Sequence, residues 1–193
     1  MRENIKSCAR ALAFVAVMPS LISYSLRSLV LGKDRALEGS TQLLALLPGV
    51  FGQYLRQAFL ARALVRCAPT ATVSFGTVFS KSGATLDDRT YIGPGCFLGL
   101  VHLERDVLVG AGVHITSGRL THGTGDATRP IREQDGEPTL VRVGAGSWIG
   151  SGAIVMAEIG ANSVIGAGSV VTKPVPDAVM AAGVPAVVVK SRL

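Results

Sequence analysis

The sequence predicts a mainly β protein: a parallel β-solenoid preceded by a basic, apolar helical segment. Three observations carry that reading. From about residue 71, aliphatic side chains recur every six positions. Glycine is divided unevenly, with four up to residue 70 and nineteen beyond it. Charge is divided the opposite way. Residues 1–70 hold nine Lys and Arg against three Asp and Glu, residues 71–193 hold ten of each, and the formal net charge of +6 therefore belongs to the first third. Two architectures meet near residue 70, a helical segment over 1–70 and a repeat domain over 71–193.

Composition narrows the class further. With 17% charged residues and a mean hydropathy of +0.43, the chain is too apolar for a disordered protein. Its 23 glycines argue against a helix bundle, because each would weaken a helix interior. The three cysteines, Cys8, Cys67 and Cys96, form no tight pattern and are expected as buried, reduced thiols in a cytosolic protein.

In the first third, residues 11–26 carry no charge. A helix of that length reaches ~24 Å, short of the ~30 Å hydrocarbon core of a bilayer, and Pro19 interrupts the run. A clean single span is not expected. A second apolar run, residues 43–50, is broken by Pro48-Gly49; residues 51–65 continue with Arg56 and Arg62, and Arg66 follows. Apolar helices studded with bases fit an anionic membrane surface. The alternative is a helical cap packed on the repeat domain with its arginines solvated. Nucleic acid is not an expected partner, since aliphatics dilute the bases and no recognition motif accompanies them. The basic start before an apolar run resembles a secretory signal, but no small-x-small cleavage site follows promptly. A cytoplasmic protein, peripheral on the inner membrane, is expected.

The six-residue period is clearest from Leu86 through Ile92 to Leu98, continuing at Leu103, Val109 and Ile115. A second run is Val143, Ile149, Val155, Ile159, Ile165 and Val171. A helix would need a period near 3.6 and a simple amphipathic strand a period of two. Six suits short strands that turn after each repeat, with one aliphatic pointing into a narrow core and glycine relieving the corner. Three such strands make a triangular coil, and coils stack into a parallel solenoid. The step of five to Leu103 and that of four to Ile159 are expected as local distortions. Residues 116–139 lose the period; so long a stretch predicts a functional excursion hung from the solenoid wall.

The segments WIGSGA (148–153), IGAGSVVTKPVP (165–176) and AGVPA (182–186) together resemble the closing repeats of the hexapeptide-repeat acyltransferases, nearest to the saccharide and exopolysaccharide O-acetyltransferases. The resemblance covers 71–193 and says little about 1–70. It implies a left-handed parallel β-helix assembled as a homotrimer, with acetyl-CoA as acyl donor, a saccharide or lipid-linked acceptor, and active sites between subunits. Carried over position by position, it implies that Ser151, Ala167, Thr172 and Lys173 line the CoA channel. Small side chains there would let the pantetheine arm approach the wall, and Lys173 would meet phosphate as a point charge. Trp148 either closes one side of that channel or packs at a subunit interface. Of the two basic positions that relatives carry after GVPA, this chain has Val187 at the first and Lys190 at the second; Lys190 either contacts phosphate or ends a solvated tail.

Transfer to an alcohol needs a base to remove the hydroxyl proton, and a neutral imidazole is suited to it. The chain has three histidines, His102, His114 and His122. The first two sit in regular repeats. His122 lies in the excursion, where the resemblance places the catalytic histidine, in the pattern Ser117-Gly118-x-x-x-His122-Gly123; strict counting from His114 would put that histidine at Leu120. His122 is the expected base, with His114 as the alternative. Asp126 or Glu133 could orient its ring, and Arg129 or Arg132 could bind an anionic acceptor. Two other functions are considered. A zinc enzyme of the γ-carbonic anhydrase kind shares the fold and uses three histidines, but the spacings here lack that family's local context and no metal is expected. A β-helix without catalysis would serve as an assembly scaffold.

Overall fold

The structure, a computed structural model, describes residues 2–193, with side chains from Ser7 onward. Three helices come first: α1 (Arg2–Leu31), α2 (Lys33–Ala45) and α3 (Gly49–Ala63). The solenoid then begins one strand ahead of residue 71. Its first coil is β1 (Arg66–Cys67), β2 (Thr72–Val73) and β3 (Val78–Phe79); its second is β4 (Thr85–Leu86), β5 (Tyr91–Ile92) and β6 (Phe97–Leu98). The third is β7 (Val101–Leu103), β8 (Leu108–Val109) and β9 (His114–Ile115), and after the excursion the fourth is β10 (Val141–Val143), β11 (Trp148–Ile149) and β12 (Ile154–Val155). The fifth has β13 (Val164–Ile165) and β14 (Val170–Val171), with Ile159 bridging in place of a first strand. A partial sixth ends in the antiparallel hairpin of β15 (Val179–Gly183) and β16 (Ala186–Ser191).

Three parallel sheets form the walls. Face one stacks β1-β4-β7-β10, face two β2-β5-β8-β11-β13-β15 with β16 at its edge, and face three β3-β6-β9-β12-β14. This is the left-handed β-helix that the repeat resemblance implies. The twelve aliphatics of the two six-residue runs all point inward and are at most 2% exposed. Within each coil the steps stay at six because two residues form the strand and four the corner. Every irregular step, and the excursion itself, falls at the single corner where face three passes to face one. Shortening there costs no wall pairing, because Ile159 and Val175 still bridge to the row above them.

The helices close the open end of the solenoid. β2 is an edge strand, and an exposed strand edge leaves backbone groups without partners. The cap supplies them. Arg56 Nε donates to the Val73 carbonyl at 2.9 Å, and the Thr41 hydroxyl sits 3.2 Å from both the amide and the carbonyl of Phe79. Asp34, in the first turn of α2, accepts from the Ser82 amide and hydroxyl and pairs with Lys81 at 3.1 Å.

Three expectations from the sequence are corrected here. Pro19 does not interrupt the apolar run, because α1 passes through it as one helix, held on both sides of the proline by buried Val17 and Tyr24. The arginines are not all solvated: Arg56 is 2% exposed, whereas Arg66, which pairs with Asp87 and Asp88, is exposed. Cys67 and Cys96 are buried as expected but Cys8 is exposed. Burial pushes the Cys67 thiol up to about 12, so it stays protonated.

Candidate active site

The corner between faces two and three carries Ser151 in the fourth coil and Ala167 directly beneath it in the fifth. The Gly168 amide donates to the Ser151 carbonyl at 2.9 Å, and the Gly152 amide to the Ala111 carbonyl above at 2.8 Å. Both Ser151 and Ala167 are exposed. Glycine is required beside them. A Cβ on Gly110 would stand 2.6 Å from the Ser151 amide nitrogen, and one on Gly150 2.5 Å from that of Ala167. The result is a smooth vertical rail of small residues.

Thr172 and Lys173 stand at the opposite edge of face three. There, with Met156, Glu158 and the excursion residues Arg119, Leu120, Glu137 and Thr139, they line a cleft of about 350 Å³. Arg119, Glu137 and Glu158 were not singled out from the sequence; only position could have marked them, the first two at the root of the aperiodic segment and Glu158 at the short step before Ile159. Trp148 and Lys190 belong to face two. Trp148 is 52% exposed on its outward row, which continues through Val164 and Met180 to Lys190. Within one chain, then, the six residues expected around CoA fall into three groups: the rail of Ser151 and Ala167, Thr172 and Lys173 across face three, and Trp148 and Lys190 on face two.

The excursion is an ordered two-limbed projection. Its root is tied by the Thr139 amide to the Ser117 carbonyl at 2.9 Å, and the Ser117 hydroxyl accepts from the Leu100 amide at 2.9 Å. Gln134 pins the tip, bonding the Asp126 amide and the carbonyls of Asp126 and Arg129. A Cβ on Gly136 would meet the Thr121 carbonyl oxygen at 2.2 Å and the His122 nitrogen at 2.7 Å, so glycine lets the limbs close around His122.

The three histidines occupy different places. His122 is exposed on the excursion, and among the described residues nothing hydrogen-bonds its ring. Asp126 instead accepts from the Thr128 amide and hydroxyl, which hold its carboxyl below the usual carboxylate range. Glu133 faces Arg132 at 3.8 Å; neither carboxylate orients the imidazole. Leu120, not His122, lines the cleft. His114 is exposed in the middle of face three, its ring 6.1 Å from that of Phe97. His102, on face one, is held by Asp87 at 3.0 Å. Among the described residues no three His, Cys, Asp or Glu side chains gather as a metal site would require.

Residues 140–173, the stretch that supplies most of these corners, match the family model described as the hexapeptide repeat of succinyl-transferase. Over that stretch the chain carries hexapeptide repeats. Its structure is similar to that of a galactoside acetyltransferase solved with coenzyme A, at 20% identity over 83% of this chain and 82% of the other, with a TM-score of 0.62. It is likewise similar to a hexapeptide-repeat containing acetyltransferase from Vibrio cholerae, at 16% identity over 83% and 93% of the two chains, with a TM-score of 0.60. A polySia specific acetyltransferase, NeuO, aligns at 23% identity over 64% of this chain with a TM-score of 0.48; the chain spans 59% of that structure's length. Among curated protein sequences none matches.

Proposed function

We propose that the protein is a cytoplasmic acyltransferase that moves an acetyl group from coenzyme A to a hydroxyl of a saccharide, working as a homotrimer. The observation that carries this reading is the rail of Ser151 and Ala167, kept free of Cβ atoms by Gly110 and Gly150 in a fold similar to that of a galactoside acetyltransferase solved with coenzyme A. A pantetheine arm can lie along such a rail and exchange amide hydrogen bonds with its exposed backbone. Lys173, exposed at the far edge of face three, supplies a charge for phosphate.

The rail and the excursion sit on opposite edges of face three, so one chain does not unite them. A neighbouring chain would. The outward rows of faces two and three support side-by-side assembly: Tyr91, Leu108 and Trp148 on the one, Phe97 and Ile154 on the other, are all more than a third exposed. Packed about a threefold axis, the excursion of one subunit brings His122 toward the rail of the next. There the His122 imidazole takes the acceptor hydroxyl proton as the oxygen attacks the thioester carbonyl. The tetrahedral centre collapses with cleavage of the carbon–sulfur bond, and the proton passes to the leaving thiolate.

The test is incubation with labelled acetyl-CoA and a panel of soluble sugars, alongside a thermal shift with CoA alone. Transfer that adds one acetyl group to the acceptor in place of a hydroxyl proton, read in the product mass spectrum, is the expected result. Absence of both the shift and transfer would overturn the reading in favour of a scaffold.

A further inference from the structure

The helical cap has two sides, and only one is explained by the solenoid. α2 and α3 pack on strands of the first coil, and α1 packs on α2 and α3. The side of α1 turned inward carries Ala13, Val17 and Tyr24, all buried, with Phe14 in contact with Arg62. The side turned outward carries Leu12, Val15, Met18, Ile22, Leu26, Leu29 and Val30, between 39% and 85% exposed. At 100° per residue these positions sweep about 120°, a third of the helix circumference, over a length of about 28 Å. Residues 11–26 hold no charge on either side.

We infer that this outward face of α1 is a membrane-binding surface that lies in the plane of an anionic lipid bilayer and seats the open end of the solenoid on it. Three features select lipid as the occupant. First, a helix–helix seam is flanked by charged positions that set its register; along residues 11–26 no charge flanks this arc. Second, cations stand beyond the ends of the uncharged stretch and beside it, at Arg10, Lys33, Arg35 and Arg62, where headgroup phosphates would meet them. Third, although α1 is long and apolar enough to cross a bilayer, its inward side is packed along α2 and α3, so it cannot cross as a lone span without leaving them. An interfacial helix satisfies both sides at once. Only part of the basic excess serves this surface, since Arg56 and Arg66 are engaged within the protein.

The test is flotation of the full chain with vesicles of phosphatidylcholine alone or with a third of phosphatidylglycerol, independent of any acyl transfer. The wild-type protein is expected to float with the anionic vesicles and to be released by high salt. The double variant Val15→Glu/Ile22→Glu changes two exposed positions; it should keep the wild-type melting curve and bind at least about tenfold more weakly. Lys33→Glu/Arg35→Glu should lose the preference for anionic lipid. The inference is overturned if the wild-type chain stays unbound with both vesicles, or if Val15→Glu/Ile22→Glu floats as well as wild type. It is also overturned if that variant splits a larger assembly in light scattering without affecting flotation, which would assign the face to a second copy of the chain.

Discussion

Replacing Arg56 is the sharpest probe of how the two architectures are joined. Its guanidinium is buried in the cap and donates to three carbonyls: Val73 at 2.9 Å, Leu44 at 3.0 Å and Leu47 at 2.7 Å. Among the described residues no carboxylate neutralises it and Nη2 has no partner, and burial lowers its pKa. A hydrogen bond from a charged donor contributes about 1.5–3 kcal/mol, and a buried acceptor left alone costs about 1–3 kcal/mol. The bonds are offset by several kcal/mol of desolvation of the cation. Leu44 keeps a backbone donor, the Leu47 amide at 3.3 Å, whereas the Val73 carbonyl lies on the unpaired side of β2. Arg56→Ala should therefore destabilise by about 2–5 kcal/mol, from the Val73 and Leu47 carbonyls it leaves without a donor, at about 1–3 kcal/mol each. Arg56→Met keeps the stem and removes the desolvation cost along with the bonds, so its loss should be smaller. Urea titration followed by circular dichroism reads both as a lower midpoint at unchanged slope. If Arg56→Ala lost less than about 1 kcal/mol, a surface-like value, the guanidinium would not be what seals the solenoid edge.

Four further outcomes are expected. His122→Ala should lower kcat by about 10²–10⁴ with the fold and CoA shift retained, while His114→Ala keeps most activity; the opposite pattern in the same assay would move the base to face three. Ala167→Leu, placing bulk on the rail, should raise KM for acetyl-CoA well before it affects stability, measured by initial rates at varied donor. Leu108→Glu, an outward change on face two, should turn a trimer into monomers by light scattering and abolish transfer together with assembly. Asp34→Asn should flatten the acid limb of stability. Burial opposes ionisation of Asp34, but its bonds from Ser82 and Lys81 outweigh that and hold its pKa below the usual carboxylate value. Its contribution is thus complete above the unfolded pKa and is lost as pH falls through the folded one, visible in melting temperatures between neutral pH and pH 3.

The wall was legible in the sequence because its physics is local. A strand of two residues and a corner of four repeat the same demand, so Leu86, Ile92 and Leu98 announce their inward direction without reference to anything distant. The excursion was legible for the same reason, as the place where that demand stops. The first coil was less so: Cys67, Val73 and Phe79 keep the inward spacing but lack the glycine-rich corners that flagged the others.

What only the tertiary structure decided is where separate repeats meet. The short steps at Leu103 and Ile159 look like unrelated lesions along the chain, yet both fall on one corner, where they leave room beside the excursion root for Thr172 and Lys173. Charge was the least readable property. Arg56 and Arg62 are six residues apart in one basic helix, but the first is fixed among backbone carbonyls of an unpaired strand edge and the second is exposed. Composition counts both equally; burial separates them, because a cation without water must be held by whatever acceptors the fold has left over. Pro19 shows the same limit. Its missing amide removes a single helical hydrogen bond, and packing on both sides of it carries α1 through, so the uncharged stretch became one long face instead of two short ones.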